Sequence, residues 1–329
     1  MVGVACGKAV TPTAPSPVVA AAPVDLKSSL STAFDALSIP SSYACSISIS
    51  QHGQVLLERG RGQIPPGQPA AADSRYRIAS LTKPITASAV LISELAGRLN
   101  RNDKISRYLA FPDPAPTIDE LIKHVPGLAD YLATPAYQNG RTSPTSVETL
   151  LSLIQPWDGI RRNQYSNSHA ILSGAALQQV NKMRYEDVVQ RDIFGPAGMA
   201  QSSFAPPASE SFPLTPTHPS WNYAAGGVTS TAADMNRFNQ ALLSNLFGFG
   251  APESFDRGGG VTSFGMGVSS PNGDLRFTHA GLVDEYASFT VFFPADRSSV
   301  VVLCNFPSAS LGNFVLGPSG IRSIMLAAK

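Results

Sequence analysis

Three short segments hold the residues that could do chemistry together. Ser80-Leu81-Thr82-Lys83 sets a hydroxyl and an amine three residues apart, and on a helix that spacing puts both on one face, one turn apart. A free serine hydroxyl is a weak nucleophile; it needs a neighbouring base, and donors for the oxyanion that forms on the substrate. Of the seven lysines in the chain, only Lys83 has a serine three residues before it. A serine at a helix start most often only caps it, and a lysine there is most often solvated. What sets this pair apart is the apolar helix that opens at it.

Tyr165-Ser166-Asn167 stands just before an amphipathic stretch carrying Ile171, Leu172, Ala175, Leu177 and Val180. A phenol near a cation loses its proton more readily and would act as a base, while the Asn167 carboxamide would fix Lys83 and a substrate carbonyl. The plain alternative is a helix cap beside a packed tyrosine. Tyr137-Gln138-Asn139 competes for the same role, but it lies in a loop of Pro and Gly with no apolar helix directly after it. Phe277-Thr278-His279-Ala280-Gly281 closes a predicted strand, where an edge amide would donate to the oxyanion and Gly281 would let substrate come close. His279 would orient a substrate carboxylate or assist proton transfer; a lone strand histidine is otherwise an ordinary surface or core residue.

These segments need a scaffold. Ile85, Ala89, Ile92, Leu95, Ala96 and Leu99 recur at helical spacing, and Val90 and Leu91 widen the stripe, so the helix is read as buried on most sides and running to about Leu99. Pro84 lacks an amide hydrogen and fits only a first turn, so the helix begins no earlier than about Ser80, at the positive end of its dipole. Residues 26–38 read as a helix; 43–50 and 55–60 read as strands joined by a tight turn that holds His52, which is thereby no ligand. A Pro-rich loop over 64–72 leads to an extended 75–78. Short helices follow between 118 and 246, and strand patterns return near 265–268, 275–279, 287–293 and 299–305, before an apolar, helical 314–328. Strands at both ends with helices between imply one sheet from the two chain ends, about 26–100 and 260–329. A helical insertion fills about 101–259, and Ser80 sits where the two bodies form a cleft.

The chain has 329 residues, 43% hydrophobic and 14% charged, which is enough apolar mass for a substantial core. A net charge of +1 without basic runs gives no case for a nucleic acid or an anionic membrane as partner. No apolar run reaches the roughly 18–20 residues that span a bilayer, so no membrane span is expected. Residues 1–25 read as a disordered leader or tether, and Val2-Gly3-Val4-Ala5-Cys6 looks like the end of a lipoprotein signal with Cys6 as a lipid anchor. Three cysteines make neither a disulfide framework nor a zinc site, and no metal or other cofactor is implied.

In that order, Ser80-Leu81-Thr82-Lys83, Tyr165-Ser166-Asn167 and His279-Ala280-Gly281 resemble the three motifs of the penicillin-recognising serine hydrolases. That superfamily includes class C β-lactamases, D-Ala-D-Ala carboxypeptidases, D-amino-acid peptidases and amidases, and related esterases. The stretches around His124-Val125-Pro126-Gly127-Leu128, Tyr185 to Met199 and Ala225 to Asp234 are similar too, and the resemblance spans about 27–307. It implies an α/β fold of the α+β sandwich type: an antiparallel sheet from both chain ends, flanked by helices, with an inserted all-helical region. It also implies an acyl-enzyme mechanism on an amide or ester. Ser80 would attack and Lys83 with Tyr165 would shuttle the proton, while Asn167 would hold Lys83 and the substrate. His279 would stand where the family has a Lys or His, and the amides of Ser80 and Leu282, beside Gly281, would form the oxyanion hole.

The family fold places the first strand beside the last, so Cys45 and Cys304 are expected near each other as a possible disulfide. Departures from the pattern are informative. His124-Val125-Pro126-Gly127-Leu128 replaces His-Thr-Ser-Gly-Leu in what reads as a structural turn. The third motif is not Lys-Thr-Gly, and Asp284 and Glu285 follow it, two carboxylates expected to disfavour an anionic substrate tail. The expected protein is a periplasmic or secreted hydrolase of a small-molecule or peptide substrate, foremost a D-Ala-D-Ala or D-amino-acid peptidase, then an esterase, then a true β-lactamase.

Overall fold

A computed structural model describes residues 25–64, 67–204, 217–254, 262–308 and 310–328. The expected leader and the Cys6 anchor lie outside the described residues.

Among the described residues ten strands run in chain order: β1 (Ala44–Gln51), β2 (Gln54–Ile64), β3 (Gln68–Pro69), β4 (Arg75–Arg77), β5 (Thr229–Thr231), β6 (Thr262–Ser263), β7 (Met266–Ser269), β8 (Arg276–Val283), β9 (Tyr286–Phe293) and β10 (Ser298–Cys304). Eight of them form one sheet in the order β3-β2-β1-β10-β9-β8-β7-β6, every pairing antiparallel, so the two chain ends meet at β1 and β10. Cys45 lies directly opposite Cys304 in that pairing, and a disulfide of S–S 2.06 Å joins them. Among the described residues the stretch between β4 and β6 carries helices and loops together with β5, which pairs with β4 just ahead of Ser80.

The alternating Ser and Ile of β1 serve two buried faces. Cys45, Ile47 and Ile49 pack with Leu30 and Phe34 of the helix Leu26–Asp35 and with Ile321 and Met325 of the helix Ile321–Ala327. On the other face Ser48 and Ser50 are also buried, where an unpaired hydroxyl costs about 1–3 kcal/mol. Asn236 on the helix Ala232–Leu243 meets that cost: its Nδ2 donates to Ser48 at 2.7 Å and its Oδ1 accepts from Ser50 at 2.8 Å. A second core under this face joins the sheet to the helices Thr82–Leu95 and Asn167–Asn181.

Several boundaries differ from the periodicity. The helix after Ser80 ends at Leu95, because Gly97 takes a left-handed φ of 69°, and Leu95 itself is 59% exposed. β8 does not stop at the His-Ala-Gly segment but continues to Val283, held by its pairing with β9. The C-terminal apolar stretch forms two helices, Leu311–Leu316 and Ile321–Ala327. His52 takes a turn conformation with φ 51° between β1 and β2. No helix of the described residues is long and apolar enough to cross a membrane.

Candidate active site

Ser80 sits in a single 3₁₀ turn, Ala79–Leu81, that runs into the helix Thr82–Leu95. Ala79 has a φ of 49°, a left-handed conformation that costs a non-glycine residue about 1–3 kcal/mol. Packing from three directions holds it there: β4 precedes it, β8 passes over it, and Val228 accepts from the Ile78 amide at 3.0 Å.

Lys83 is 2% exposed, and its Nζ has three neighbours: Ser80 Oγ at 2.9 Å, Asn167 Oδ1 at 2.7 Å and the Ala225 carbonyl at 2.8 Å. Burial pulls its pKa from 10.5 down to about 7, against the nearby Asp130 carboxylate, which raises it. A neutral amine keeps two N–H donors and one lone pair. The carboxamide oxygen and the carbonyl can only accept, so they take the two donors and the lone pair is left for Ser80.

The Tyr165 hydroxyl lies 2.8 Å from Ser80 Oγ, and the Lys83 Nζ is 4.8 Å from its ring centre. The expectation that a neighbouring cation lowers the phenol is reversed. Burial pushes Tyr165 upward, and Lys83 is itself close to neutral. Because the ring stays 45% exposed, the deeply buried Lys83 is the group whose proton affinity the fold sets most firmly. With its proton retained, Tyr165 donates to Ser80.

Asn167 opens the helix Asn167–Asn181, capped by the Ser166 side chain. Asp130 accepts from its backbone amide at 3.1 Å and from its Nδ2 at 2.7 Å. Sequence reading missed Asp130, which has no motif around it. Also missed was His124, placed in a structural turn: its ring lies 4.6 Å from Tyr165, and its Nδ1 lies 2.8 Å from His169 Nδ1. Burial holds both histidines well below their ordinary pKa, so both are neutral.

β8 supplies the opposite wall. A Cβ at Gly281 would stand 2.6 Å from the Ile78 carbonyl and 3.0 Å from the Ser80 amide, so only glycine lets the strand pass this close. Leu282 follows, with its side chain 64% exposed. The His279 ring lies 6.3 Å from Tyr165, and its Nδ1 is 2.7 Å from the Ala280 carbonyl. A carbonyl only accepts, so Nδ1 bears the proton and Nε2 is an acceptor. Burial lowers its pKa to about 4, so His279 is neutral at pH 7 and lacks the charge to attract a substrate carboxylate. Tyr137, the rejected alternative, is buried against Tyr131 and Trp221 and lines the same cleft farther out.

Together these residues line a cleft of about 750 Å³ that also reaches Arg141 and Asp284. The expectation that Asp284 repels an anionic tail is corrected here. Its side chain is 5% exposed and pairs with Arg141 at 3.1 Å and Arg77 at 3.4 Å, so it enters the cleft neutralised. Among the described residues no cluster of His, Cys, Asp or Glu is set to hold a metal.

An antiparallel sheet built from both chain ends, helices between, and a serine bracketed by a lysine and a tyrosine in the cleft define a β-lactamase-fold serine hydrolase. The Beta-lactamase family model matches residues 40–312, and the chain belongs to that family. Penicillin-binding protein 4* of Bacillus subtilis is 25% identical over 324 residues, covering 84% of this chain and 71% of its own length. The putative penicillin-binding protein PbpX of the same organism is 26% identical over 259 residues, covering 72% of this chain and 64% of its own length, so this chain spans only part of these relatives. The D-amino acid amidase of Ochrobactrum anthropi complexed with D-phenylalanine superposes with a TM-score of 0.71 over 92% of this chain and 99% of that one; at 19% identity the likeness is one of fold.

Proposed function

We propose that this chain is an exported D-Ala-D-Ala or D-amino-acid peptidase-like penicillin-binding hydrolase that cleaves an amide through a Ser80 acyl-enzyme. The observation that carries the reading is the surrounding of Lys83: two acceptors take its donors, its pKa is lowered to about 7, and Ser80 Oγ faces what remains. The names of the relatives and of the amidase neighbour support the choice of substrate class. The Cys45–Cys304 disulfide supports export to an oxidising compartment.

In this mechanism Lys83 takes the Ser80 proton as Oγ bonds to the carbonyl carbon. The carbonyl electron pair moves onto oxygen, which the amides of Ser80 and Leu282 stabilise. Collapse of the tetrahedral species breaks the C–N bond. The leaving nitrogen gains the proton from the Lys83 ammonium by way of the Tyr165 hydroxyl, 2.8 Å from Ser80 Oγ. Water then attacks the ester with Lys83 again as base, releasing the acid and returning the proton to Ser80. Asn167 keeps Lys83 aimed and offers its carboxamide to the substrate.

The test is intact-mass analysis after incubation with a penicillin, beside Ser80→Ala, with hydrolysis of the drug followed in parallel. A persistent adduct of one drug molecule, absent from the variant, is expected. Intact drug with no adduct, together with no cleavage of D-amino-acid amides and ready turnover of small acyl esters, would replace this reading by an esterase.

A further inference from the structure

The cleft is lined by a guanidinium with donors that the described residues leave unused. Arg141 follows the short helix Pro135–Gly140 and lines the cleft, with its side chain 33% exposed. Both of its side-chain hydrogen bonds use Nη1, to Asp284 Oδ1 at 3.1 Å and to Thr217 Oγ1 at 2.9 Å. Its Nε and Nη2 have no partner among the described residues. Asp284 is itself held in place: Thr217 donates to it through its amide at 3.3 Å and its hydroxyl at 3.0 Å, Arg77 flanks it, and its own φ of 49° is left-handed. A carboxylate that is 5% exposed and fixed on four sides is a mount, and what it mounts is Arg141.

The place of this mount along β8 has a meaning for substrate. β7 pairs with β8 only as far as Thr278, so from His279 onward that edge of β8 faces the cleft and offers backbone groups to an extended peptide. Asp284 lies two residues beyond Leu282, in the turn just past the end of β8 at Val283, so it is within roughly 7 Å of Leu282 at about 3.3 Å per residue. A peptide lying along this edge with its scissile carbonyl near Leu282 therefore has a group about two residues away within reach of Arg141. Since His279 is neutral, Arg141 is the cation that lines the cleft among the described residues.

We propose that Arg141, positioned by Asp284, is a specificity residue that binds a carboxylate of a peptide substrate about two residues from the bond cleaved. The proposal rests on the Ser80 hydrolase reading, and the experiment separates the two. Equilibrium binding to Ser80→Ala, which cannot turn substrate over, is measured by calorimetry for four peptides: D-Ala-D-Ala capped with N-glutaryl or with neutral N-pentanoyl, each as C-terminal acid or amide. A charge-assisted hydrogen bond is worth about tenfold or more in affinity. The N-glutaryl carboxylate, about two residues from the bond cleaved, is expected to tighten binding by that factor, and Arg141→Gln on the same background to erase the advantage. An advantage confined to the C-terminal acid, one residue from that bond, would count against the proposal. Arg141→Lys should keep more of it than Arg141→Gln, with unchanged near-ultraviolet circular dichroism in both. Equal binding of charged and neutral peptides, no binding of any, or equal behaviour of the Lys and Gln variants would overturn the proposal. Failure of a fluorophosphonate to label Ser80 in the parent protein would instead strike the acyl-enzyme reading and leave the binding result to judge Arg141.

Discussion

Asp130 holds Asn167 by two hydrogen bonds, from its backbone amide at 3.1 Å and from its Nδ2 at 2.7 Å, and this turns Asn167 Oδ1 onto Lys83 at 2.7 Å. With one N–H of the carboxamide on Asp130, its oxygen is aimed at Lys83 and its second N–H is left for a substrate carbonyl. The same Asp130 carboxylate raises the proton affinity of Lys83 against the larger effect of burial. Asp130→Asn should therefore move the acid limb of kcat/KM to lower pH while reducing the plateau, as the carboxamide of Asn167 loses its anchor. A pH–rate profile checks this, and an unmoved limb would show that Asp130 acts on geometry alone.

The parent enzyme should lose activity as pH falls through about 7, because protonation of Lys83 removes the base for Ser80. Stability follows the same group with a definite sign. Folding lowers the pKa of Lys83 from 10.5 to about 7, so between those values the unfolded chain binds more protons. This contribution makes the fold more stable as pH rises through the window, with the full cost remaining below about pH 7. Denaturant unfolding of Lys83→Met beside the parent from pH 6 to 10 should show the gap in favour of the variant shrink as pH rises.

Gly281→Ala places a Cβ 2.6 Å from the Ile78 carbonyl and 3.0 Å from the Ser80 amide, both backbone atoms that cannot swing away. β8 must move off the Ser80 turn, and kcat/KM should fall by about a hundredfold or more, the scale of losing an oxyanion donor. The loss should appear mainly in kcat, with the folded state retained in thermal melts. Parent-like kinetics would mean that the amides of Ser80 and Leu282 do not act together.

Cys45 and Cys304 are 259 residues apart in sequence, so their bridge closes most of the chain into one loop. Thiol titration of the unlipidated chain in denaturant should find one reactive cysteine, Cys6, before reduction and three after. The double variant Cys45→Ala/Cys304→Ala should be less stable by about 2–5 kcal/mol while keeping its activity, since the bond lies away from the cleft. Three thiols without reductant would refute the bridge.

Much of the fold was legible because local patterns carried it. Ile47 and Ile49 alternate with serines in β1, and Ile85, Ala89 and Ile92 recur at helical spacing after Ser80. Boundaries were less legible, because the pairing with β9 that extends β8 to Val283 is a contact between strands rather than a property of either segment. Asp130 was hidden for a similar reason: an aspartate in a loop has no spacing to mark it until the helix Asn167–Asn181 is laid beside it.

By itself, the order of residues determined that Ser80 and Lys83 share one helical face, that Tyr165 and Asn167 stand at a second helix start, and that Gly281 lies on a strand. Each of these depends on neighbours within a turn or a pleat. Tertiary structure alone decided the charges. Lys83 approaches neutrality because chain 84 and 142 residues away buries and pairs it, and Arg141 binds Asp284 across 143 residues. Burial also keeps the proton on Tyr165 and removes it from His279. Desolvation and pairing are sums over atoms that only folding brings together, so the same side chains read in sequence carry their chemistry but not their protonation.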